Sequence, residues 1–216
     1  MLKDTVLFID GEALVIDKPN GLPVDRPRDG SRSVEDLLDE LRFGFQRRPL
    51  PVHRLDRDTS GCLLLARNPK AHKRFGQAFE AGAVTKRYIA VLEGNPKDDS
   101  GAIDLPLVKI SSAEEGWRMT GAANGKPALT RWKVLERKGA RTLVAFYPET
   151  GRTHQLRVHA AEGLGMPIVG DPVYGGGGPA VMLHAAGLTM PRPGKAEVSA
   201  EAPLPVRFHN IGFGRG

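Results

Sequence analysis

Glycine and proline divide this chain into short segments, and that spacing constrains the fold more than any other feature of the sequence. The 216 residues include 26 glycines and 17 prolines, which favour turns and interrupt long helices. Segments with strand composition do not alternate regularly with helical ones. We therefore expect an α+β fold on a mixed, largely antiparallel sheet flanked by helices and loops, not a doubly wound fold or a helical bundle.

Length and composition indicate a globular protein. A chain of 216 residues that is 40% hydrophobic suits one domain or two small, closely joined lobes with a real core. No apolar run approaches a membrane span, and Met1–Asp10 lacks the pattern of a signal peptide. Cys62, the single cysteine, excludes an internal disulfide and a cysteine-rich metal site. We expect a cytoplasmic protein with no membrane partner.

The charge balance is basic. The formal net charge is +6 and the sequence pI is about 9.6, which is compatible with binding a polyanion because neutralised phosphates release counterions. Basic residues gather around Arg26–Arg32, Arg42–Arg48 and Lys70–Arg74. Each run could contact phosphates, or it could be ordinary solvated surface.

Local patterns predict the main elements. A hairpin is expected around Asp10-Gly11, with positive φ at the turn, and residues 95–127 look like an irregular insertion or a flexible hairpin. Two helices are expected, over residues 34–42 after Ser33 and after the cap Asn68. The remaining predictions are strands over Gly61–Ala66, Arg87–Leu92, Thr130–Leu135, Arg141–Tyr147 and Val181–Met190, and a short helix over His154–Ala161.

The densest polar cluster runs from His53 to Gly61, just before the predicted buried strand. Asp56 is flanked by Arg54 and Arg57, and a neighbouring cation favours the ionised form of a carboxylate. An oriented, ionised carboxylate can act as a nucleophile. The same segment could instead be a loop of solvated ion pairs, or Asp56 and Asp58 could form the carboxylate pair of an N-glycoside hydrolase.

A second cluster spans Gly151 to His159. Arg152, at a predicted helix start, is a candidate partner for a carboxylate elsewhere in the chain. The alternative is a basic amphipathic helix with solvated side chains. Zinc binding is not expected, because His154 and His159 are five residues apart and therefore face different sides of a helix.

A third cluster, Lys86-Arg87-Tyr88, opens a predicted strand. Taken alone, Tyr88 is typical of a core or interface tyrosine whose hydroxyl is hydrogen-bonded. Cys62, inside an apolar run, is typical of a small buried hydrophobic residue and not of a nucleophile.

Together the three clusters resemble the RluA-type family of RNA pseudouridine synthases. His53–Asp56 with Thr59–Gly61 is similar to that family's catalytic segment, Lys86–Tyr88 to its second motif and Gly151–His159 to its third. Lesser family segments are matched in the expected order by Gly125–Thr130, Gly170–Gly175 and Leu183–Ala185. Two departures stand out: the sequence begins at the catalytic domain, where many members carry an S4-type RNA-binding module, and Met190-Pro191 replaces a common His-Pro pair.

The resemblance implies one catalytic domain over residues 1–216 that acts on structured RNA, either ribosomal or transfer RNA. The sequence does not indicate the oligomeric state, and a monomer is the simpler expectation. It implies isomerisation of uridine to pseudouridine with no metal and no cofactor. Asp56 would be the nucleophile, Arg152 its partner, and Tyr88 would stack on the base and help to remove the C5 proton. The implied substrate contacts are Arg54, Leu183, His53 and Thr59.

Two alternatives to the isomerase stay open from the residues alone. One is the N-glycoside hydrolase, which would release free uracil. The other is an RNA-binding module that carries out no chemistry. Motifs that a whole family shares do not indicate which RNA or which uridine is the target.

Overall fold

The computed structural model describes residues 1–112 and 116–214, and short strands dominate this part of the chain. In chain order the strands are β1 (Val6–Ile9), β2 (Ala13–Lys18), β3 (Leu50–Pro51), β4 (Ser60–Ala66), β5 (Thr85–Glu93), β6 (Ser100–Asp104), β7 (Leu107–Ser112), β8 (Gly116–Gly121), β9 (Leu129–Lys138), β10 (Arg141–Pro148), β11 (Leu183–Met190) and β12 (Val198–Glu201).

Helices are few and mostly short. The α-helices are α1 (Pro69–Glu80), α2 (Gln155–Val158) and α3 (Val206–Asn210). Two 3₁₀ helices span Leu2–Thr5 and Glu35–Leu41, and a π-helical turn, His159–Gly163, continues α2. Within the two described ranges, none of these helices is long and apolar enough to cross a membrane.

The chain forms two compact units. Unit 1 comprises Met1–Lys86 with Ala185–Pro203, and unit 2 comprises Arg87–His184 with the described part of Leu204–Gly216. The chain therefore passes between the units within β5 and within β11, and once more after Pro203. That residues 1–216 act as one catalytic domain stays a prediction.

Unit 1 is built on strands in the order β1-β2-β4-β11, with β3 beside β4 and β12 beside β11. All seven residues of β4 are buried. One face of this sheet packs on α1, where the ring of Phe75 contacts a cluster that includes Leu64 and Met190. Burying this much apolar surface makes β4 the rigid centre of the unit.

Helix α1 follows β4 directly and begins as the sequence predicts. The Asn68 side chain accepts a hydrogen bond from Ala71 N at 2.8 Å, and Pro69 occupies the first helical position, where no N–H donor is needed. The helix ends at Glu80, before Gly82, which has a φ of +68°. The predicted helix is confirmed at both ends.

Unit 2 orders its strands β5-β10-β9-β6, with β7 and β8 forming a separate hairpin. Strand pairs with a described register, in both units, are antiparallel. The predicted α+β class with a largely antiparallel sheet is confirmed.

The expected burial of Cys62 is confirmed as well. This residue is 1% exposed, and burial raises the pKa of its thiol to about 12.

The β1–β2 hairpin is confirmed, but its turn is made differently from the prediction. Gly11 does not adopt a positive φ. Instead the Asp10 carboxylate accepts hydrogen bonds from Glu12 N and Ala13 N, each at 2.8 Å. An aspartate side chain that caps its own turn removes the need for a left-handed residue.

Two other predictions are confirmed only in part. Residues 34–42 form a 3₁₀ helix over Glu35–Leu41 rather than an α-helix, although Ser33 Oγ does donate to Asp36 at 2.7 Å. For residues 95–127 the expected irregular insertion is wrong and the expected hairpin is confirmed, because β7 and β8 pair antiparallel. The segment also carries β6. Residues 113–115 of that segment lie outside the described residues. Strand β12 and helix α3 were not predicted.

Candidate active site

In unit 1, Asp56 lies in a tight turn that leads straight into β4. Its carbonyl oxygen accepts a hydrogen bond from Thr59 N at 3.1 Å. Leu55, just before Asp56, is 7% exposed, and Thr59, three residues after it, is 3% exposed, while Asp56 itself is half-buried. A polar residue between two buried anchors keeps a fixed direction, which is what a reacting carboxylate needs.

The end of the turn depends on Gly61. Its φ is +109°, a value that residues with a side chain rarely adopt. A Cβ at this position would lie 2.2 Å from the carbonyl oxygen of Ala185. Only glycine lets the backbone of β4 come this close to β11. The close approach fixes where β4 begins and therefore where the Asp56 turn ends.

A buried lysine ties the Asp56 turn to the preceding loop. Lys18 is fully buried, and its ammonium group donates to three backbone carbonyls. The acceptors are Pro19 O at 2.9 Å, Leu22 O at 2.7 Å and Arg57 O at 3.1 Å. A buried cation is costly unless its donors are satisfied, so this arrangement stabilises both loops in one conformation.

Backbone hydrogen bonds strengthen the same junction. Gly21 N donates to Arg57 O at 2.9 Å, and the Asn20 side-chain amide donates to Asp58 O. The loop of residues 19–22 is thereby held along the chain that follows Asp56. Its sequence, Pro-Asn-Gly-Leu, has no periodicity from which this role could be recognised.

His53 is held by structural contacts. Its Nε2 accepts a hydrogen bond from Leu64 N at 3.0 Å, and its ring stacks on Phe79 with centroids 4.5 Å apart. Burial, reinforced by the positive charge of Lys86, lowers the pKa of His53 to about 4. The ring is therefore neutral near neutral pH. A direct substrate contact by His53 stays a prediction.

Arg54, next along the chain, points to solvent. Its side chain is 68% exposed and forms an ion pair with Asp25 at 2.6 Å. An exposed ion pair of this kind is worth little in free energy. The guanidinium can therefore exchange its carboxylate partner for another anion at small cost.

In unit 2, the turn that carries Arg152 is organised by Gln155. The Gln155 side-chain oxygen accepts from Arg152 N at 2.9 Å and from Thr150 Oγ1 at 2.8 Å. Its amide nitrogen donates to Leu129 O and to Thr130 Oγ1. All four hydrogen bonds are made by a side chain that is 4% exposed, so they fix the turn firmly.

Arg152 itself is exposed, and its Nε donates to Pro127 O at 3.0 Å. The sequence places it at a helix start, but α2 begins three residues later, at Gln155. His154, just before the helix, adopts a left-handed conformation with φ +53° and contacts the Tyr174 hydroxyl at 2.9 Å. Arg152 therefore sits on a strained turn rather than in a helix.

The expected alternative of a solvated basic helix is wrong. Arg157 is 5% exposed and forms a bidentate ion pair with Asp171, which is fully buried. Burial would raise the pKa of Asp171, but the hydrogen bonds and charge of Arg157 outweigh it, so this pKa lies below its ordinary value. The pair therefore fixes the buried face of α2.

Tyr88 and Leu183 also belong to unit 2. Tyr88 is half-buried in β5, opposite Phe146 of β10. Leu183, the first residue of β11, is 3% exposed, and its carbonyl accepts a hydrogen bond from Arg207. The predicted strand at Lys86–Tyr88 is confirmed.

The structure thus groups the predicted site residues in two sets. His53, Arg54, Asp56 and Thr59 share one turn of unit 1, and Tyr88, Arg152 and Leu183 belong to unit 2. The convergence of Asp56, Arg152 and Tyr88 on one uracil stays a prediction. Across residues 1–112 and 116–214, no group of three or more His, Cys, Asp or Glu side chains is placed to hold a metal ion.

The supporting roles of three residues were not predicted from the sequence, although Gln155 and Asp171 lie in segments that resemble family motifs. Lys18 precedes a proline and looks like an exposed strand end, and Gln155 has no distinctive spacing. Of the three, only Asp171 lies in a local sequence pattern that indicates its role. It lies between Gly170 and Pro172, in a segment that cannot be helical, and an acid there can pair with a basic residue on a nearby helix.

The comparisons with known proteins agree with these features. Residues 12–162 match the model of the family described as RNA pseudouridylate synthase. The chain belongs to this family, whose members isomerise uridine to pseudouridine in RNA. The predicted resemblance and the predicted enzyme class are confirmed.

Individual relatives extend the match over nearly the whole chain. An uncharacterised RNA pseudouridine synthase from Zymomonas mobilis is 58% identical over 217 residues, covering 99% of both chains. Ribosomal large subunit pseudouridine synthase C from Yersinia pestis is 38% identical, covering 94% of this chain and 66% of that protein. The structure of human RNA pseudouridylate synthase domain containing 4 superposes with a TM-score of 0.81 at 27% identity, covering 96% and 91%.

Proposed function

We propose that this chain converts specific uridines in ribosomal or transfer RNA to pseudouridine with Asp56 as the nucleophile. The observation that carries the proposal is the position of Asp56 in a turn fixed by Thr59, Gly61 and the buried Lys18. A carboxylate that is half-buried and held in one direction can attack with little reorganisation.

The reaction needs no oxidation or reduction. The N1–C1′ bond of the uridine breaks, the uracil turns, and a C5–C1′ bond forms. The proton on C5 is then lost, and N1 ends protonated. Asp56 assists the first step, either by attack at C6 or C1′ or by promoting loss of uracil as a glycal forms.

Arg152 would pair with Asp56 and keep it charged and aimed. Support comes from the fixed turn around Gln155, which holds the Arg152 backbone while the guanidinium stays exposed. Tyr88 would stack on the uracil and help to remove the C5 proton. Its half-buried position on β5 leaves part of the ring available.

The remaining residues would contact substrate. Arg54 would enter the RNA where the target base has left its stack, and its exposed pair with Asp25 supports this. Leu183 and Thr59, both buried, would line the pocket for the base. His53 would contact substrate as well as hold the loop beside β4.

Ribosomal RNA is the first candidate target, since the Yersinia pestis relative is named a ribosomal large subunit enzyme. Transfer RNA is the other. Mapping pseudouridine in total RNA from a strain that lacks this gene distinguishes them, because the site that loses its mark is the substrate. Complementation with the wild type should restore the mark, and complementation with Asp56→Asn should not.

Asp58→Asn is the matched control, an identical chemical change two residues away. The isomerase proposal expects it to restore the mark. Release of free uracil from RNA would instead favour the hydrolase. Restoration of the mark by Asp56→Asn would contradict Asp56 as the nucleophile and favour a chain that binds RNA without carrying out the chemistry itself.

We further propose that residues 1–216 act as a single catalytic domain, as a monomer and in the cytoplasm. The Zymomonas mobilis relative, matched over 99% of both chains, supports the first statement. Light scattering coupled to size-exclusion chromatography tests the second, and cell fractionation tests the third.

A further inference from the structure

A loop in unit 1 presents both aromatic rings and arginines to solvent. Residues 42–48, which follow the 3₁₀ helix, are all exposed, between the buried Leu41 and Pro49. We name this segment the RF loop. Its members that could bind a ligand are Arg42, Phe43, Phe45, Arg47 and Arg48.

The RF loop is held in place by Arg67, which follows β4 and is 6% exposed. The Arg67 guanidinium donates to Arg42 O at 3.1 Å and Phe43 O at 3.3 Å, and to Asp10 O at 2.6 Å. It also lies 3.7 Å from the centre of the Phe45 ring. Because the buried Arg67 guanidinium makes these contacts, the loop is held in one conformation.

Phe43 is kept exposed at a conformational cost. Its φ is +45°, a left-handed value that residues with a side chain rarely adopt, and its side chain is 43% exposed. An apolar ring normally gains free energy by burial. A left-handed backbone at an exposed ring is an outlier of the kind that occurs at ligand-contact sites.

The charge of the RF loop indicates the chemistry of that partner. Arg42 pairs with Asp39 at 2.6 Å. Arg47 and Arg48 have neither an ion pair nor a side-chain hydrogen bond to any residue in the described ranges. Arginines interleaved with exposed aromatic rings are the combination that binds single-stranded nucleic acid, through phosphates and base stacking.

We propose that the RF loop is a second RNA-contact surface. Arg47 and Arg48 bind phosphates there, and Phe43 stacks on an unpaired base. The inference rests on RNA being the substrate. A second copy of the chain is a poorer partner, because pairing two RF loops would bring six arginines together.

The RF loop contacts nucleotides distant from the reacting uridine. It leads into β3, whose Leu50 pairs with Ala66 at the far end of β4, whereas Asp56 precedes the near end. Seven strand residues span about 20 Å. Contacts at this distance select RNA by its flanking structure and add affinity without touching the chemistry.

The experiment measures RNA binding by fluorescence anisotropy over a range of salt concentrations, with labelled bulk transfer RNA and labelled polyuridylate as probes. Arg47→Gln/Arg48→Gln should weaken binding about tenfold and reduce the salt slope by one to two counterions. Its matched control is Lys97→Gln/Lys133→Gln, which removes two exposed charges elsewhere and should leave the slope nearer the wild-type value.

Phe43→Ala should weaken polyuridylate binding about five- to tenfold with an unchanged salt slope, and Phe43→Tyr should restore it. Ile9→Ala is the control, since Ile9 is also 43% exposed and should bind like the wild type. With total RNA from a strain lacking the gene as substrate, these RF-loop variants should raise KM and leave kcat unchanged.

Wild-type affinity and salt slope in both RF-loop variants would overturn the inference. A change in oligomeric state in these variants would also overturn it, by assigning the loop to contacts between copies. If the wild type forms no pseudouridine, the proposed function fails, while the difference in binding between variants and controls still decides the role of the RF loop.

Discussion

Arg157 and Asp171 form a buried, bidentate ion pair in unit 2. Nε and Nη2 of the guanidinium each donate to one carboxylate oxygen at 2.7 Å. The same carboxylate accepts Val173 N at 2.9 Å and Tyr174 N at 3.1 Å. The pair therefore joins α2, which follows the Arg152 turn, to the Gly-rich loop after Gly170.

We expect Asp171→Asn to destabilise the protein by about 3–5 kcal/mol, because it leaves the buried Arg157 charge without its partner. Urea denaturation measures the loss. Glu149→Gln, which breaks the exposed pair with Arg131, should cost less than about 1 kcal/mol. Equal losses in the two variants would contradict the special role of the buried pair.

His53 should make stability depend on pH. Its pKa is about 4 in the folded protein and ordinarily 6.5, so between these values the unfolded chain binds more protons than the folded one. Stability therefore falls as pH drops from about 6.5 to 4, by at most about 3 kcal/mol. His53→Gln keeps an acceptor for Leu64 N but does not titrate. Urea midpoints at several pH values should show a weaker dependence in this variant, and parallel curves would contradict the assignment.

Two glycines of unit 1 should respond oppositely to alanine. Gly61→Ala places a Cβ against the Ala185 backbone at a positive φ and should cost about 3 kcal/mol or more. Gly76→Ala, within α1 and with no atom near the added Cβ, should stabilise by about 1 kcal/mol. Thermal unfolding of both variants tests the pair, and a neutral Gly61→Ala would refute the close approach.

The Arg152 turn should depend on Gln155. Gln155→Ala removes four hydrogen bonds around the turn and should lower kcat at least about tenfold, because a misplaced catalytic group costs rate more than binding. Rates at saturating RNA measure this, with urea denaturation to verify folding. Gln77→Ala, on the exposed face of α1, is the control. An unchanged kcat in Gln155→Ala would show that Arg152 does not need the turn.

The sequence predicted those elements whose conformation depends mainly on residues close to one another in the chain. The buried run of β4, the cap at Asn68 and the β1–β2 hairpin follow from composition and spacing, and each was found. The reacting segment around Asp56 was identified because its motifs resemble a known family, not because its charges alone favoured chemistry.

The features that the sequence did not predict depend on contacts between residues distant in the chain. The burial of Lys18 depends on the carbonyl of Arg57, 39 residues away in sequence, as well as on two nearby carbonyls. Arg157 is buried together with Asp171, which pairs with it. Neither position has a periodicity that separates it from a solvated charge. The 3₁₀ form of Glu35–Leu41 and the left-handed His154 likewise reflect tertiary packing, which overrides local propensity.

The most direct test of the central claim follows tritium released from RNA whose uridines are labelled at C5, since pseudouridine formation frees that hydrogen to water. The wild type should release tritium, whereas Asp56→Asn and Asp56→Ala should release none above background while still binding the RNA. Tritium release by either variant at the wild-type rate would contradict the role of Asp56 as the nucleophile.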